Sequence, residues 1–288
     1  MPRRLVPAGL IAIVAALPAW GDAPAPAGVR VFVCGHSFHM PIREPLGQMA
    51  RAAGITGHKL AGFQGIGGST VSKHWDVPDP DNKVRNAIKA RQVDVLTLAP
   101  NQLLPDPAID KFTDLLLEYN PAGRVTVQAS WIPRDGQRGA FANAQRDAAD
   151  LAAVRKAQAP FTDKVRAQVE AINARYADKL KRPVVFMVPV GEAVVRLRER
   201  VAKGEVPGIA RQSELFRDDL GHGKAPLYTL VAYCHFAVIY DRSPVGLAVP
   251  EFLANAGLGE NAAKVNRVLQ EVAWAAVTAE PASGVKSK

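Results

Sequence analysis

From residue 29 onward the chain alternates short apolar, β-branched runs with longer stretches of helical periodicity. This alternation restricts the fold more than any other feature, because it is the pattern of a parallel sheet whose crossover helices cover both faces. Residues 29–34, 58–63, 93–98, 124–129 and 184–188 read as strands, most of them nearly continuous apolar runs, as expected of strands buried on both sides. Residues 44–53, 84–90, 108–119 and 162–180 read as helices. In the last of these, Val165, Val169, Ile172 and Tyr176 fall on one stripe that can face the sheet. Residues 228–240 and 261–276 are also helical in pattern.

The expected architecture is therefore an α/β, three-layer α/β/α sandwich with a central, mostly parallel five-stranded sheet. One domain spans residues 29–279. The segment 130–160 reads as an insertion over one sheet edge and 204–220 as a second irregular stretch, and connections of this length tend to carry function. Residues 280–288 read as a disordered tail.

The extreme N-terminus is a separate matter. Arg3 and Arg4 precede an apolar run from Leu5 to Ala19, and small residues at Ala19 and Gly21 match what a signal peptidase reads. Residues 1–21 are thus expected to be a signal peptide of a secreted or periplasmic protein, followed by a proline-containing linker at 22–28. The run is short for a membrane span and rich in alanine and proline, so an uncleaved anchor is the weaker alternative and no stable membrane span is expected.

Among 288 residues, 48% hydrophobic and 22% charged content leaves room for one sizeable core and excludes a disordered or fibrous chain. The formal charge of +9 raises nucleic acid as a partner, but the basic residues lie among acidic ones on helix faces, and no nucleic-acid stripe emerges. Cys34 and Cys234 both sit in apolar runs and read as buried free thiols rather than a disulfide.

Four short blocks carry residues suited to chemistry. Gly35-His36-Ser37 ends the first strand just before a helix, where open α/β sheets bind ligands, although a serine there can also be a plain helix cap. Gly65-Ile66-Gly67-Gly68 follows the second strand, and its glycines let backbone N–H groups approach a ligand. Asn101 follows the third strand. Asp219 and His222, three apart, offer a carboxylate and an imidazole, though such spacing also occurs in caps and half metal sites. All four blocks would converge at one end of the sheet.

In this order the blocks resemble the SGNH hydrolases, also called GDSL-like esterases and lipases, over nearly the whole chain after the leader. The resemblance implies their flavodoxin-like fold and a serine esterase acting on carboxylic esters, acetyl groups foremost and carbohydrate among the substrates. It implies a triad of Ser37, His222 and Asp219, with an oxyanion hole from the Ser37 and Gly68 N–H groups and the Asn101 amide, and calls for no cofactor or metal. Two positions depart from the family pattern. His36 stands where an aspartate usually precedes the serine, and Gln102 follows Asn101 where aspartate is common. A non-catalytic carbohydrate-binding relative, or an O-acyltransferase using the same residues, remain the competing readings. The α/β-hydrolase fold is disfavoured because His39, not glycine, stands two residues after the serine.

His36, His39, Gly67 and Trp75 are expected to line the pocket. For Trp75 the alternatives are stacking on a sugar ring, a role also open to Trp131, or packing in the core. A metal site from His36, His39 and Asp76 lacks any helical H-x-x-x-H or H-E-x-x-H pairing.

Overall fold

The computed structural model describes residues 25–286. The expected signal peptide and the first part of the linker lie outside the described residues. Residues 25–29 lack regular structure, and the Gly28 N–H donates to the Thr56 carbonyl.

Five strands, β1 (Arg30–Gly35), β2 (Lys59–Gly65), β3 (Val95–Leu98), β4 (Arg124–Gln128) and β5 (Val185–Val188), form one parallel sheet in the order β2-β1-β3-β4-β5. The helices are α1 (Arg43–Ala52), α2 (Val71–Trp75), α3 (Lys83–Lys89), α4 (Pro107–Tyr119), α5 (Leu151–Leu180), α6 (Val190–Ala202), α7 (Ala225–Tyr240), α8 (Glu251–Ala254) and α9 (Ala262–Thr278).

The two-residue period of β1 separates two cores. Val31 and Val33 face a cluster built with α1, α6, α7 and α9, while Phe32 and Cys34 face one built with α3, α4 and α5. Cys34 and Cys234 are both buried and free, and belong to opposite clusters. Helix α7 is buried over nearly its whole length, which explains why its sequence is apolar on every side. No described helix is long and apolar enough to cross a membrane.

Strand order reverses at β1, whose neighbours are β2 and β3. The carboxyl ends of β1 and β3 therefore form the switch point at which open α/β sheets bind ligands. Ser37 leaves β1 there and Asn101 leaves β3 beside it.

Three expectations about the elements need correction. Helix α5 starts at Leu151, not near residue 162, because the Asp150 side chain accepts the N–H groups of Ala152 and Ala153 and an alanine-rich first turn follows. Pro160 lies inside this helix without ending it. Helix α6 had no counterpart in the sequence reading. The segment 280–286, expected to be a disordered tail, is packed: the Glu280 carboxylate accepts two bonds from Arg166, and Val285 is buried.

The insertion before α5 is organised by buried charge. The Asp135 carboxylate accepts both terminal nitrogens of Arg198 at 3.0 and 2.6 Å, and the Arg146 Nε lies 3.5 Å from it. Both guanidiniums are almost fully buried and cover the ring of Phe216. Arg134 and Asp135 adopt φ of 50° and 53°, a left-handed conformation that non-glycine residues occupy at a cost, so the surrounding contacts must hold them there.

Removing the one carboxylate would leave two buried cations facing each other. Asp135→Asn is expected to lower unfolding free energy by about 3–5 kcal/mol in urea titrations, the range for breaking a buried ion pair. A loss below about 1 kcal/mol, typical of surface pairs, would contradict this account.

Candidate active site

Ser37 follows β1 in a tight turn closed by the N–H groups of His39 and Met40 on the His36 carbonyl. The Tyr228 hydroxyl from α7 donates to the Ser37 carbonyl at 3.1 Å. Burial pushes the Tyr228 phenol up to about 12, which keeps it a donor. The Ser37 hydroxyl lies 2.8 Å from His222 Nε2, and His222 Nδ1 lies 2.7 Å from the Asp218 carboxylate. With Nδ1 protonated, the ring donates to Asp218 and its other nitrogen accepts from Ser37.

The carboxylate that meets His222 is Asp218, not the expected Asp219. The loop from Asp218 to His222 curls around the Asp218 carboxylate, so that one oxygen accepts the Gly221 and His222 N–H groups at 3.0 Å each and the other accepts the ring. Gly221 makes the curl with φ of 109°, and a Cβ there would lie 3.0 Å from Arg146 Nη2. Asp219 is turned outward and accepts the Asn143 N–H at 2.8 Å. Partial burial would raise the Asp218 pKa, but the two N–H groups and the His222 ring outweigh it, and the carboxyl is held below its ordinary value.

The imidazole is also held from the side. Phe38 meets the His222 ring edge to face, with centroids 5.2 Å apart, and stacks on Trp131 at 4.4 Å. Trp131 is thus buried against the Ser37 turn, with its indole N–H on the Gly221 carbonyl.

Asn101 and Gly68 are adjacent, the Asn101 amide donating to the Gly68 carbonyl at 3.0 Å. Gly67 and Gly68 are exposed and a Cβ on either would meet open space, but the φ of 61° at Gly68 favours glycine. The loop is fastened below by Ser69, whose hydroxyl donates to the Ile66 carbonyl and accepts from His74 Nε2.

His36 and His39 do not line an open pocket. His36 is buried, its Nδ1 accepting the Phe38 N–H at 3.3 Å, so its Nε2–H donates to the Pro100 carbonyl at 3.4 Å. It therefore ties the Ser37 turn to the Asn101 loop. His39 is completely buried, its ring 5.1 Å from that of His235. Trp75 takes the core alternative, edge to face with Phe112 and with Arg85 and Lys111 over its ring. Neither Trp75 nor Trp131 presents a free face for a sugar. Among the described residues no group of three or more His, Cys, Asp or Glu side chains is placed to hold a metal ion.

No protein-family model and no curated protein matches the chain. Among solved structures it is similar to a DUF4886 family protein from Bacteroides uniformis, at 13% identity and a TM-score of 0.52 over 88% of this chain and 95% of that one. Weaker likeness extends to a protein from Slackia heliotrinireducens provisionally described as an SGNH hydrolase, at 15% identity and a TM-score of 0.40 over 73% and 97% of the two chains. A family 3 carbohydrate esterase from Clostridium thermocellum matches at 12% identity and a TM-score of 0.42, over 73% and 94%. The likeness to the Bacteroides protein shows a shared α/β fold alone.

Four histidines are buried as neutral rings around this site. Burial pushes His36 and His74 down to about 4 and His235 to about 3, and holds His39 well below its ordinary value. Below pH 6.5 the unfolded chain binds protons that the folded chain refuses, so stability falls as pH drops. Each of His36, His74 and His235 should remove about 1.4 kcal/mol per pH unit until the folded form itself protonates. The melting temperature is expected to decline from about pH 6.5, and a constant value down to pH 4.5 would contradict the buried neutral assignment.

Proposed function

We propose that the protein is a serine hydrolase of carboxylic esters, with Ser37 as nucleophile, His222 as general base and acid, and Asp218 as the group that orients and charge-stabilises the imidazole. The observation that carries this reading is the continuous pair of hydrogen bonds from Ser37 through His222 to Asp218.

Ser37 Oγ attacks the ester carbonyl carbon while its proton passes to His222 Nε2. The carbonyl oxygen becomes an oxyanion, received by the Ser37 and Gly68 N–H groups and by an Asn101 amide swung from the Gly68 carbonyl. Collapse of the tetrahedral intermediate breaks the ester C–O bond, and the departing alkoxide takes the proton from His222. Water then attacks the acyl-serine, gives a proton to His222, and the second collapse releases the carboxylic acid and restores Ser37.

We also read the N-terminal leader as a secretion signal, which would place the reaction outside the cytoplasm. The sequence resemblance extends the substrate to acetylated carbohydrate, but Trp75 and Trp131, the aromatics that favoured sugar, are occupied by packing. Small acyl esters, acetate first, are therefore the reading we retain.

Purified protein is expected to hydrolyse p-nitrophenyl acetate and to lose turnover in Ser37→Ala; equal activity in that variant would remove the assignment. Asn101→Ala should remain folded and slow kcat about 10²- to 10³-fold. The two aspartates separate cleanly: Asp218→Asn should reduce kcat by about 10⁴-fold, and Asp219→Asn by less than about tenfold. The reverse order would restore Asp219 as the acid.

A further inference from the structure

The loop that carries Asp218 and His222 has four consecutive backbone carbonyls between those two residues' side chains, and each accepts a hydrogen bond from the insertion before α5. Arg146 Nη1 reaches the Asp218 carbonyl at 3.4 Å and Nη2 the Asp219 carbonyl at 2.9 Å. The Arg134 N–H donates to the Leu220 carbonyl at 3.0 Å, and the Trp131 indole N–H to the Gly221 carbonyl at 2.9 Å. The insertion is thus a template against which the loop is cast.

Arg146 is the centre of that template. Its side chain is 1% exposed, it bridges Asn143 Oδ1 at 2.8 Å, and its charge is balanced by Asp135, which Arg198 holds in turn. A guanidinium presents its donors as a rigid planar fork, so two adjacent carbonyls are fixed in direction as well as in distance. A lysine could keep the charge opposite Asp135 but has no fork to span both carbonyls. Surface anchoring of a loop would need neither burial nor a second arginine.

We propose that Arg146 is a positioning residue for the Ser37–His222–Asp218 site, acting through the Asp218 and Asp219 carbonyls, with the Trp131 indole N–H as its second support. The proposal rests on the esterase reading for its kinetic consequence but not for its structural one. Misplacement of reacting groups by about 1 Å can cost about 10²-fold in rate, so a loosened fork should be visible in kcat without any contact to substrate.

The test compares wild type, Arg146→Lys, Trp131→Phe and Ser37→Ala by steady-state hydrolysis of p-nitrophenyl acetate, thermal melting, and proton NMR of the His222 Nδ1–H bonded to Asp218, assigned by its loss in His222→Gln. Arg146→Lys is expected to melt cooperatively, to lower kcat by about 10²-fold with KM unchanged within about threefold, and to move or broaden the downfield Nδ1–H resonance. Trp131→Phe keeps a ring over Phe38 and should lower kcat by about three- to tenfold in the same way. A folded Arg146→Lys with wild-type kcat and an unmoved resonance would overturn the proposal, as would a loss confined to KM. If Arg146→Lys does not fold, Trp131→Phe decides by the same criteria. If wild type cleaves no ester, or Ser37→Ala cleaves as well as wild type, the esterase reading fails, and the resonance alone still upholds or overturns the positioning role.

Discussion

The Asp218 carboxylate closes its own loop and receives the imidazole that the loop delivers, so that local backbone geometry and the Asp218–His222 pair are one structure. One oxygen is occupied by two backbone N–H groups and the other is left for His222 Nδ1. A carboxylate held in this way has little freedom to rotate, and the ring it receives is fixed in the tautomer that leaves Nε2 free to accept from Ser37. Everything else near the site maintains that arrangement from outside: Phe38 and Trp131 press on the ring from one side, Tyr228 holds the Ser37 carbonyl from another, and the insertion saturates the loop carbonyls from below.

Much of the scaffold was legible because parallel strands covered on both faces write themselves as apolar runs. All five strands were found in place, with ends shifted by a residue or two, and the blocks holding Ser37, Gly68 and Asn101 lie after strand ends, while the choice of Gly68 and the roles of all three came from the family resemblance. What was illegible had definite physical causes. A D-x-x-H spacing names Asp219, yet the preceding aspartate sits only one position further from the histidine. Which carboxylate turns inward depends on the φ of Gly221 and on Asn143, a residue 76 positions away from Asp219. The first part of helix α5 was missed because residues 130–160 read as one insertion, whereas the Asp150 cap and the alanines after it start the helix at Leu151. The packed 280–286 segment depends on Arg166, which no local pattern could pair with Glu280.

The interior around the site is polar but uncharged on one side and charged but compensated on the other. Beneath Ser37 and the glycine loop, His36, His39, His74 and His235 are neutral and serve as ties or spacers. Beneath the Asp218 loop, Asp135 neutralises part of the charge of two guanidiniums. Net charge of +9 therefore says little about the site, because the charges that matter to it are buried and locally paired. Surface arginines such as Arg155 and Arg175 are engaged with carboxylates on neighbouring helices.

His36 shows how a departure from a familiar motif can be absorbed. At this position a neutral ring offers one acceptor and one donor in fixed opposite directions. The structure uses both, the acceptor for the Phe38 N–H and the donor for the Pro100 carbonyl, so the ring spans the nucleophile turn and the loop that brings in Asn101. A carboxylate there would offer acceptors only, and the Pro100 carbonyl would face a second acceptor instead of a donor. The histidine is therefore matched to this chain's own third loop, holding the Ser37 turn and the Asn101 loop together.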